Sequence, residues 1–595
     1  MKNYQAPLKD MNFVINELVK IEELSNIPGY EEAVPEMVSC ILDEAAKLAG
    51  EVISPLNAYG NIHGVKIHNS DEVRTPEGFK SAYQQFAEGG WGSLQFEPDY
   101  GGQGLPFALA IPVQEMWHSA NMAWGLCPLL SQGAVEAIQA NASEELKSRY
   151  LPQMIAGNWT GTMNLTEPQA GSDMATLRTR AERDGDHYRI TGQKIFITWG
   201  EHDMAENIVH LVLARLKDSP PGVKGISLFI VPKFLVNDDG SLGYRNDCQV
   251  VSLEHKIGIH ASPTCAMSYG ENGGAIGYLV GKENKGLACM FSMMNNARLT
   301  VGLQGVAIGE RAYQLARDFA KERPQGVAPG ESEIGMIIKH PDVRRMLMTM
   351  RSLTEASRAL TYVACASTDY QEKHPDNEVR KHHKARAALL TPIVKGWCTE
   401  ISLEVTSIGV QVHGGMGFIE ETGAGQYYCD ARILPIYEGT NGIQALDLVV
   451  RKTLFDKGAA MDSLLDDMRG LVADIEQESS ILKEEAKAFS CGVKALAYAK
   501  VLLMKKEKGD INWSGSVSFN YLMLMGAVCG AWQMLMAAQV AEARLTSGDS
   551  DTSFYSAKLA TARFYLDQIL PRYLSHSAII KSGSKTIMSM DEDLF

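Results

Sequence analysis

Near Gly161 the texture of the chain changes, and near Val280 it changes back. Before the first point apolar residues recur at helical spacing, as from Pro35 to Val52 and from Glu144 to Ile155. Between the two points the runs are short and β-rich (His187 to Ile190, Lys194 to Thr198, Ile208 to Leu213, Ile226 to Val231), with Asp-Gly, Pro-Gly and Thr-Gly punctuation. After the second point the helical period returns in Gly286 to Lys321, Asp342 to Ser367 and Ala385 to His413. A further Met-rich helical portion runs from about Ala459 to Phe595, and no internal repeat is visible. A chain of 595 residues is too long for one core. The pattern predicts a mainly α protein with a central β-domain, divided into helical residues 1–158, β residues 159–284, helical residues 285–457 and helical residues 458–595.

Charge narrows the partners. A net charge of −15, with the basic residues scattered, argues against nucleic acid as the main partner, because phosphate neutralisation needs clustered Lys and Arg. The ten cysteines contain no CxxC pair and no zinc or disulfide spacing, so reduced thiols in a cytoplasm are expected, and no metal site. The first residues read as neither secretory signal nor transit peptide. From Tyr521 to Ala541 the residues are nearly all apolar, close to the roughly 20 that a bilayer core demands. Gln533 and Gln539 interrupt that stretch, Gly526 and Gly530 are poor helix formers and no cationic cluster flanks it, so a buried bundle helix is the reading. No integral span is expected, while peripheral membrane association stays open.

Four segments carry candidate chemistry. Met163 to Asp173 joins a strand end to the polar turn Thr-Glu-Pro-Gln-Ala-Gly-Ser-Asp, which can offer several amides and hydroxyls to an anion or a heterocycle edge. Ile190 to Gly200 puts an aromatic and a hydroxyl, Phe196 and Thr198, at alternate strand positions. Gln411 to Phe418 ends a candidate helix in paired glycines, which admit close approach of a backbone or cofactor, although a helix C-cap uses Gly too. In Arg432 to Gln444, Glu438 sits among Ile, Tyr and Gly, where its charged form is disfavoured and its basicity lifted toward what proton abstraction needs. Taken singly each has an ordinary explanation: a turn, a sheet face, a cap, a solvated loop.

In this order and at these separations the segments closely resemble the acyl-CoA dehydrogenase family, strongly over residues 80 to 455. TEPQAGSD, TGQKIFIT, QVHGGMGF and IYEGTNGIQ match its motifs nearly position by position. The resemblance implies an N-terminal helical domain, a β-barrel-like middle domain, a four-helix-bundle domain and here a C-terminal helical extension. It implies FAD as cofactor, with Met163, Leu165, Thr166 and Ser172 contacting it and Phe196 and Thr198 lying against its ring. Arg323, Gln411, Gly414 and Gly415 would bind the FAD of a neighbouring subunit, with Thr440 and Asn441 closing the site, so at least a homodimer follows. Glu438 matches the catalytic base, while Ser172, Asn295, Arg298 and Gly439 would meet the acyl-CoA. In the family the substrate carbonyl accepts hydrogen bonds from the backbone N–H of the base and from a flavin ribityl hydroxyl. Electrons would then pass to electron-transfer flavoprotein.

The chain also departs from the family. Phe196 stands where many members have Trp, and Pro324-Gln325 replaces the usual Phe-Gly after Arg323. Asn295 replaces an Asp that commonly meets CoA, and Ala297 leaves the family's alternative base position without a proton acceptor. The opening residues and the tail resemble the long bacterial branch that includes 3-methylmercaptopropionyl-CoA dehydrogenases, though short, medium or long fatty acyl groups remain alternatives. An acyl-CoA oxidase passing electrons to oxygen is the rival within the chemistry. A DNA-associated flavoprotein is the rival outside it, and 14 Lys plus Arg against 17 Asp plus Glu from Ala460 to Phe595 gives that region the wrong sign.

Overall fold

The computed structural model describes residues 3–68, 72–479, 481–506 and 509–595. Helices α1 (Phe107–Ala120), α2 (Met122–Asn141) and α3 (Glu144–Ile155) lead into the β-domain. Every residue of α1 is buried, which is why its apolar run shows little periodicity. Asn121 and Ser143 cap α2 and α3, their side chains accepting from the amides of Trp124 and Leu146.

The β-domain holds β1 (Trp159–Asn164), β2 (Arg180–Asp184), β3 (His187–Thr198), β4 (Asn207–Leu216), β5 (Ile226–Pro232), β6 (Cys248–Leu253), β7 (Thr264–Tyr269) and β8 (Ala275–Val280). Pairing closes a ring: β3 to β8, β8 to β5, β5 to β4, β4 to β2, and β2 back to β3. β1 adds in parallel to β4, and the far half of β3 pairs with β7. A ring has no edge there to protect, and the outcome is barrel-like. The sequence suggests two strands split at Thr191-Gly192, whereas β3 is continuous. Gly192 has φ +154, and a Cβ there would lie 2.6 Å from Thr179 Oγ1, so the glycine serves a change of partner within one strand.

Beyond the barrel, α4 (Gly286–Glu322), α5 (Pro341–Lys373) and α6 (Asn377–Val412) pack on one another, followed by α7 (Ala424–Ala431) and α8 (Asn441–Val449). α6 starts a full two turns before the apolar period does, because Arg380 to Lys384 form a polar helical face. The last helices are α9 (Ala459–Glu478), α10 (Lys483–Lys506), α11 (Trp513–Thr546) and α12 (Thr552–Phe564). Among the described residues α11 alone is long and apolar enough to cross a membrane, with a mean hydropathy of 1.5 over its most apolar window. That window is 89% buried by the protein's own side chains. Its glycines are contact points: a Cβ on Gly526 would stand 2.1 Å from Trp397 Cγ, and one on Gly530 2.3 Å from Tyr565 Oη. α8 packs against both α6 and α11.

One buried ion cluster ties the ends together. Arg358 of α5 donates to Asp10, Glu115 of α1 and Glu310 of α4, and Tyr362 donates to Glu115 at 2.6 Å. Lys558 of α12 donates to Asp10 and, at 2.6 Å, to Glu355.

Candidate functional site

Glu438 lies in the short segment between α7 and α8, and its backbone is left-handed at φ +54. Gly439 follows at +87, so two successive residues occupy a region that costs a non-glycine residue about 1–3 kcal/mol. Such strain persists only where the surroundings enforce it, and here four neighbours do. Lys395 of α6, fully buried, donates at 2.8 Å to Gly439 O and at 2.8 Å to Asn441 Oδ1. Gln444 Nε2 is 3.4 Å from both Glu438 O and Gly439 O. Tyr437 donates to Gln304 of α4. Arg298, also on α4, reaches to within 3.9 Å of where a Gly439 Cβ would be.

The electrostatics follow. Burial raises the Glu438 carboxyl above the usual carboxylate range, and the nearby Arg298 and Lys395 cations only partly oppose it. Burial likewise brings Lys395 down to about 7, against the pull of Glu438, with Arg298 adding to the lowering and Glu400 opposing it. Among the described residues the Glu438 carboxylate has no hydrogen-bond partner and its amide donates to no protein acceptor. Three polar atoms around it are also buried without a partner: Arg298 Nε, Gln304 Nε2 and Gln444 Oε1. Buried polar groups are normally satisfied, so this cluster of orphans fits a polar ligand rather than a finished core. Lys395, Gln304 and Gln444 were not singled out in the sequence. Lys395 alone left a signal, a single cation inside the apolar run Leu389 to Cys398.

The β-domain motifs are built differently. Glu167 is buried and accepts from Lys194 at 2.8 Å, from Thr179 Oγ1 at 2.6 Å and from the Arg178 amide at 2.7 Å, while Lys194 also donates to Leu165 O. Burial pushes Glu167 up, but Lys194 and the donors prevail and hold it at about 2; burial brings Lys194 down to about 8. This pair welds the polar turn to β3, leaving Thr166 and Leu165 half-buried and Ser172 exposed. Phe196 is 57% exposed with φ +61, next to a register shift between β7 and β3, and Thr198 is half-buried beside it. An exposed aromatic on a strained strand suits a planar ligand. Met163 and Tyr437 pack against the same apolar cluster, and Asp430 of α7 accepts from the Ile259 amide, so the β-domain and the Glu438 segment are joined.

A second group lies elsewhere. Phe319 and His413 rings stand 4.5 Å apart, bringing together the C-terminal ends of α4 and α6. Arg323, Gln411, Gly414 and Gly415 are exposed at that end, with nothing within 4 Å of a Cβ on either glycine. Arg298 lies within α4 and Arg323 caps its C-terminal end, and at about 1.5 Å per residue the helix separates them by roughly 37 Å. The two groups are therefore not brought into one site within a single chain. Asn295 is exposed on α4, Thr440 caps α8 by accepting from Ile443 N at 3.3 Å, and the Asn441 side chain is committed to Lys395, Gly396, Thr399 and Glu400.

Known proteins agree with the architecture. The acyl-CoA dehydrogenase N-terminal, middle and C-terminal domains match residues 43–158, 162–271 and 284–453, and an acetyl-CoA dehydrogenase C-terminal-like domain matches 464–591. A 3-methylmercaptopropionyl-CoA dehydrogenase from Ruegeria pomeroyi is 44% identical over 98% of this chain and 99% of its own. Among solved structures, Caenorhabditis elegans ACDH-11 in complex with C11-CoA has a TM-score of 0.77 at 21% identity, covering 96% of this chain and 92% of that one. An acyl-CoA dehydrogenase complexed with FAD from Bacillus anthracis has a TM-score of 0.74 at 20% identity, covering 96% and 91%.

Proposed function

Because the chain belongs to the acyl-CoA dehydrogenase family, we propose that it oxidises an acyl-CoA thioester to the trans-2-enoyl-CoA, with Glu438 removing the α-proton. The observation that carries this reading is one residue with two unused groups: a half-buried carboxylate of raised proton affinity and, on the same residue, a backbone N–H without a protein acceptor among the described residues. The carboxylate takes the α-proton. The amide donates to the thioester carbonyl as negative charge builds there, which is where a fixed donor stabilises the transition state most. Lys395 and Gln444 keep the strained segment from relaxing, and Arg298 supplies positive charge beside it.

FAD, when bound, supplies the acceptor for the β-hydride. The residues fit it: Phe196 and Thr198 offer a ring face, Met163, Leu165, Thr166 and Ser172 a strand edge and polar turn, and Thr440 the cap of α8. Asn441 serves the loop through Lys395 rather than offering its amide to a ligand. Arg323, Gln411, Gly414 and Gly415 would hold the FAD of a second copy, since the length of α4 separates them from Glu438; the assembly is then a dimer or a larger even oligomer. Ser172, Asn295, Arg298 and Gly439 would meet the substrate. The chain would function as four units, 1–158, 159–284, 285–457 and 458–595, pass electrons to electron-transfer flavoprotein, and work in a cytoplasm, where its ten free cysteines suit a reducing environment. The Ruegeria relative makes 3-methylmercaptopropionyl-CoA the first substrate to test, with fatty acyl-CoAs of increasing length beside it.

The test is anaerobic mixing of the purified yellow protein with that panel, followed by a dye acceptor. At least one acyl-CoA bleaches the flavin and supports turnover; bleaching by none overturns the reading.

A further inference from the structure

Lys395 is a cation without a carboxylate. Among the described residues no ion pair within 4 Å joins it to an acid, yet it is fully buried on α6, inside the apolar run Leu389 to Cys398. A buried lysine without a counter-ion is costly, and apolar neighbours would normally replace it. Its two hydrogen bonds both go to the segment that carries the base, one to Gly439 O and one to Asn441 Oδ1. Asn441 is itself fixed from the other side by Gly396, Thr399 and Glu400, all on α6. The ammonium thus bridges α6 to the first residues after Glu438, where the backbone is left-handed twice in succession.

We infer that Lys395 is a positioning residue for the proposed proton abstraction: its hydrogen bonds hold the strained Glu438–Gly439 turn in register and set its charge beside the residue that follows the base. The inference rests on the reading of Glu438 as base. The two contributions differ in what they affect. The hydrogen bonds govern where the carboxylate and the amide of Glu438 point. The charge governs the pH at which Glu438 loses its proton, because a nearby cation favours the ionised form.

Charged and titratable groups face the site from three helices and from the Glu438 segment itself. Arg298 approaches from α4, Lys395 and, through Asn441, Glu400 from α6, Asp447 and Arg451 from α8 toward Arg298, and Tyr437 adjoins Glu438 in the chain. Of these, Lys395 alone makes a hydrogen bond to the backbone beside Glu438 and also lowers its proton affinity. Arg298 shares only the second property.

Two variants separate the contributions. Lys395→Gln keeps a donor and removes the charge; Lys395→Met removes both. The first readout is pH-difference infrared spectroscopy of the flavin-loaded protein, following the protonated-carboxyl band that disappears in Glu438→Gln. In both Lys395 variants that band titrates at least about one pH unit higher than in the native protein. The second readout is turnover. Lys395→Met loses roughly a hundredfold in kcat with KM little changed, as expected for a misplaced base, and Lys395→Gln retains much more of it. An unmoved band in Lys395→Gln overturns the electrostatic half; native kcat in Lys395→Met overturns the positioning half. Should Lys395→Met fail to fold, Lys395→Gln still decides through its band. If the native protein shows the band but no acyl-CoA reduces its flavin, the functional reading fails while the coupling of Lys395 to Glu438 is still measured.

Discussion

Arg298 and Arg358 lie on neighbouring helices and both are buried, yet one guanidinium is saturated and the other is not. Arg358 donates to three carboxylates on three elements, and although burial opposes its charge, Glu115, Glu310 and Asp10 hold its proton more firmly than water would. Arg298 makes no ion pair among the described residues, keeps Nε without a partner, and is pulled down by burial despite Asp447 and Glu438 nearby. The difference teaches that burial alone does not separate framework from site. A finished network belongs to the framework, whereas clustered unsatisfied atoms mark where a ligand completes the structure.

The comparison can be broken at its strongest point first. Glu438→Gln is expected to cut turnover by at least roughly a thousandfold, as loss of a general base does. It should leave folding intact, because removing a half-buried carboxylate without a partner costs the framework nothing; stopped-flow flavin reduction with matched denaturation curves checks both. Arg358→Met should do the reverse, costing about 3–5 kcal/mol by leaving the buried Glu115 and Glu310 without a cation. Its denaturation midpoint falls, while any protein that remains folded reduces flavin normally.

Acid sharpens the contrast. Asp10 is pushed up by burial but held at about 2 by Lys558 and Arg358, and Glu167 is held at about 2 as described above. Their folded values lie below their unfolded ones, so the stability they contribute is complete above about pH 5 and is lost as pH falls toward 2, about 2 kcal/mol for Asp10 and about 3 kcal/mol for Glu167. Glu438 has the opposite sign: its folded value lies above the unfolded one, so protonating it on acidification does not destabilise. Chemical denaturation from pH 5 to pH 2 should show Asp10→Asn losing clearly less than the native protein. The smallest effect belongs to Arg298→Gln, about tenfold in kcat/KM, the equivalent of roughly 1.4 kcal/mol, with no loss of thermal stability. A fall in melting temperature like that of Arg358→Met would remove the distinction between the two arginines.

The order of helices, sheet and helices was legible because period is written residue by residue: β4, β5 and the cores of α4 to α6 lie where the runs of Ile208, Ile226, Gly286, Asp342 and Ala385 begin. Closure of the barrel is not written in the period, since it depends on β2 pairing with β4 and β3 with β8, partners far apart in sequence. Gly526 and Gly530 look like weaknesses in a helix until Trp397 and Tyr565 are seen against them. Within the site, Glu438 could be singled out by its local setting and motif. The residues that hold it could not, because Lys395, Gln304 and Gln444 sit on three helices and reveal their roles only when those helices meet.

Along α6 three consecutive residues face two masters. Lys395 grips the Glu438 segment, Gly396 lets Leu522 approach to where a Cβ would be 2.5 Å away, and Trp397 fills the notch at Gly526. The helix that carries Lys395 therefore leans on α11 as well as on α4 and α5. α4 and α5 hold α6 from its other sides, so a chain without α11 would keep the bundle but lose the buttress behind Lys395.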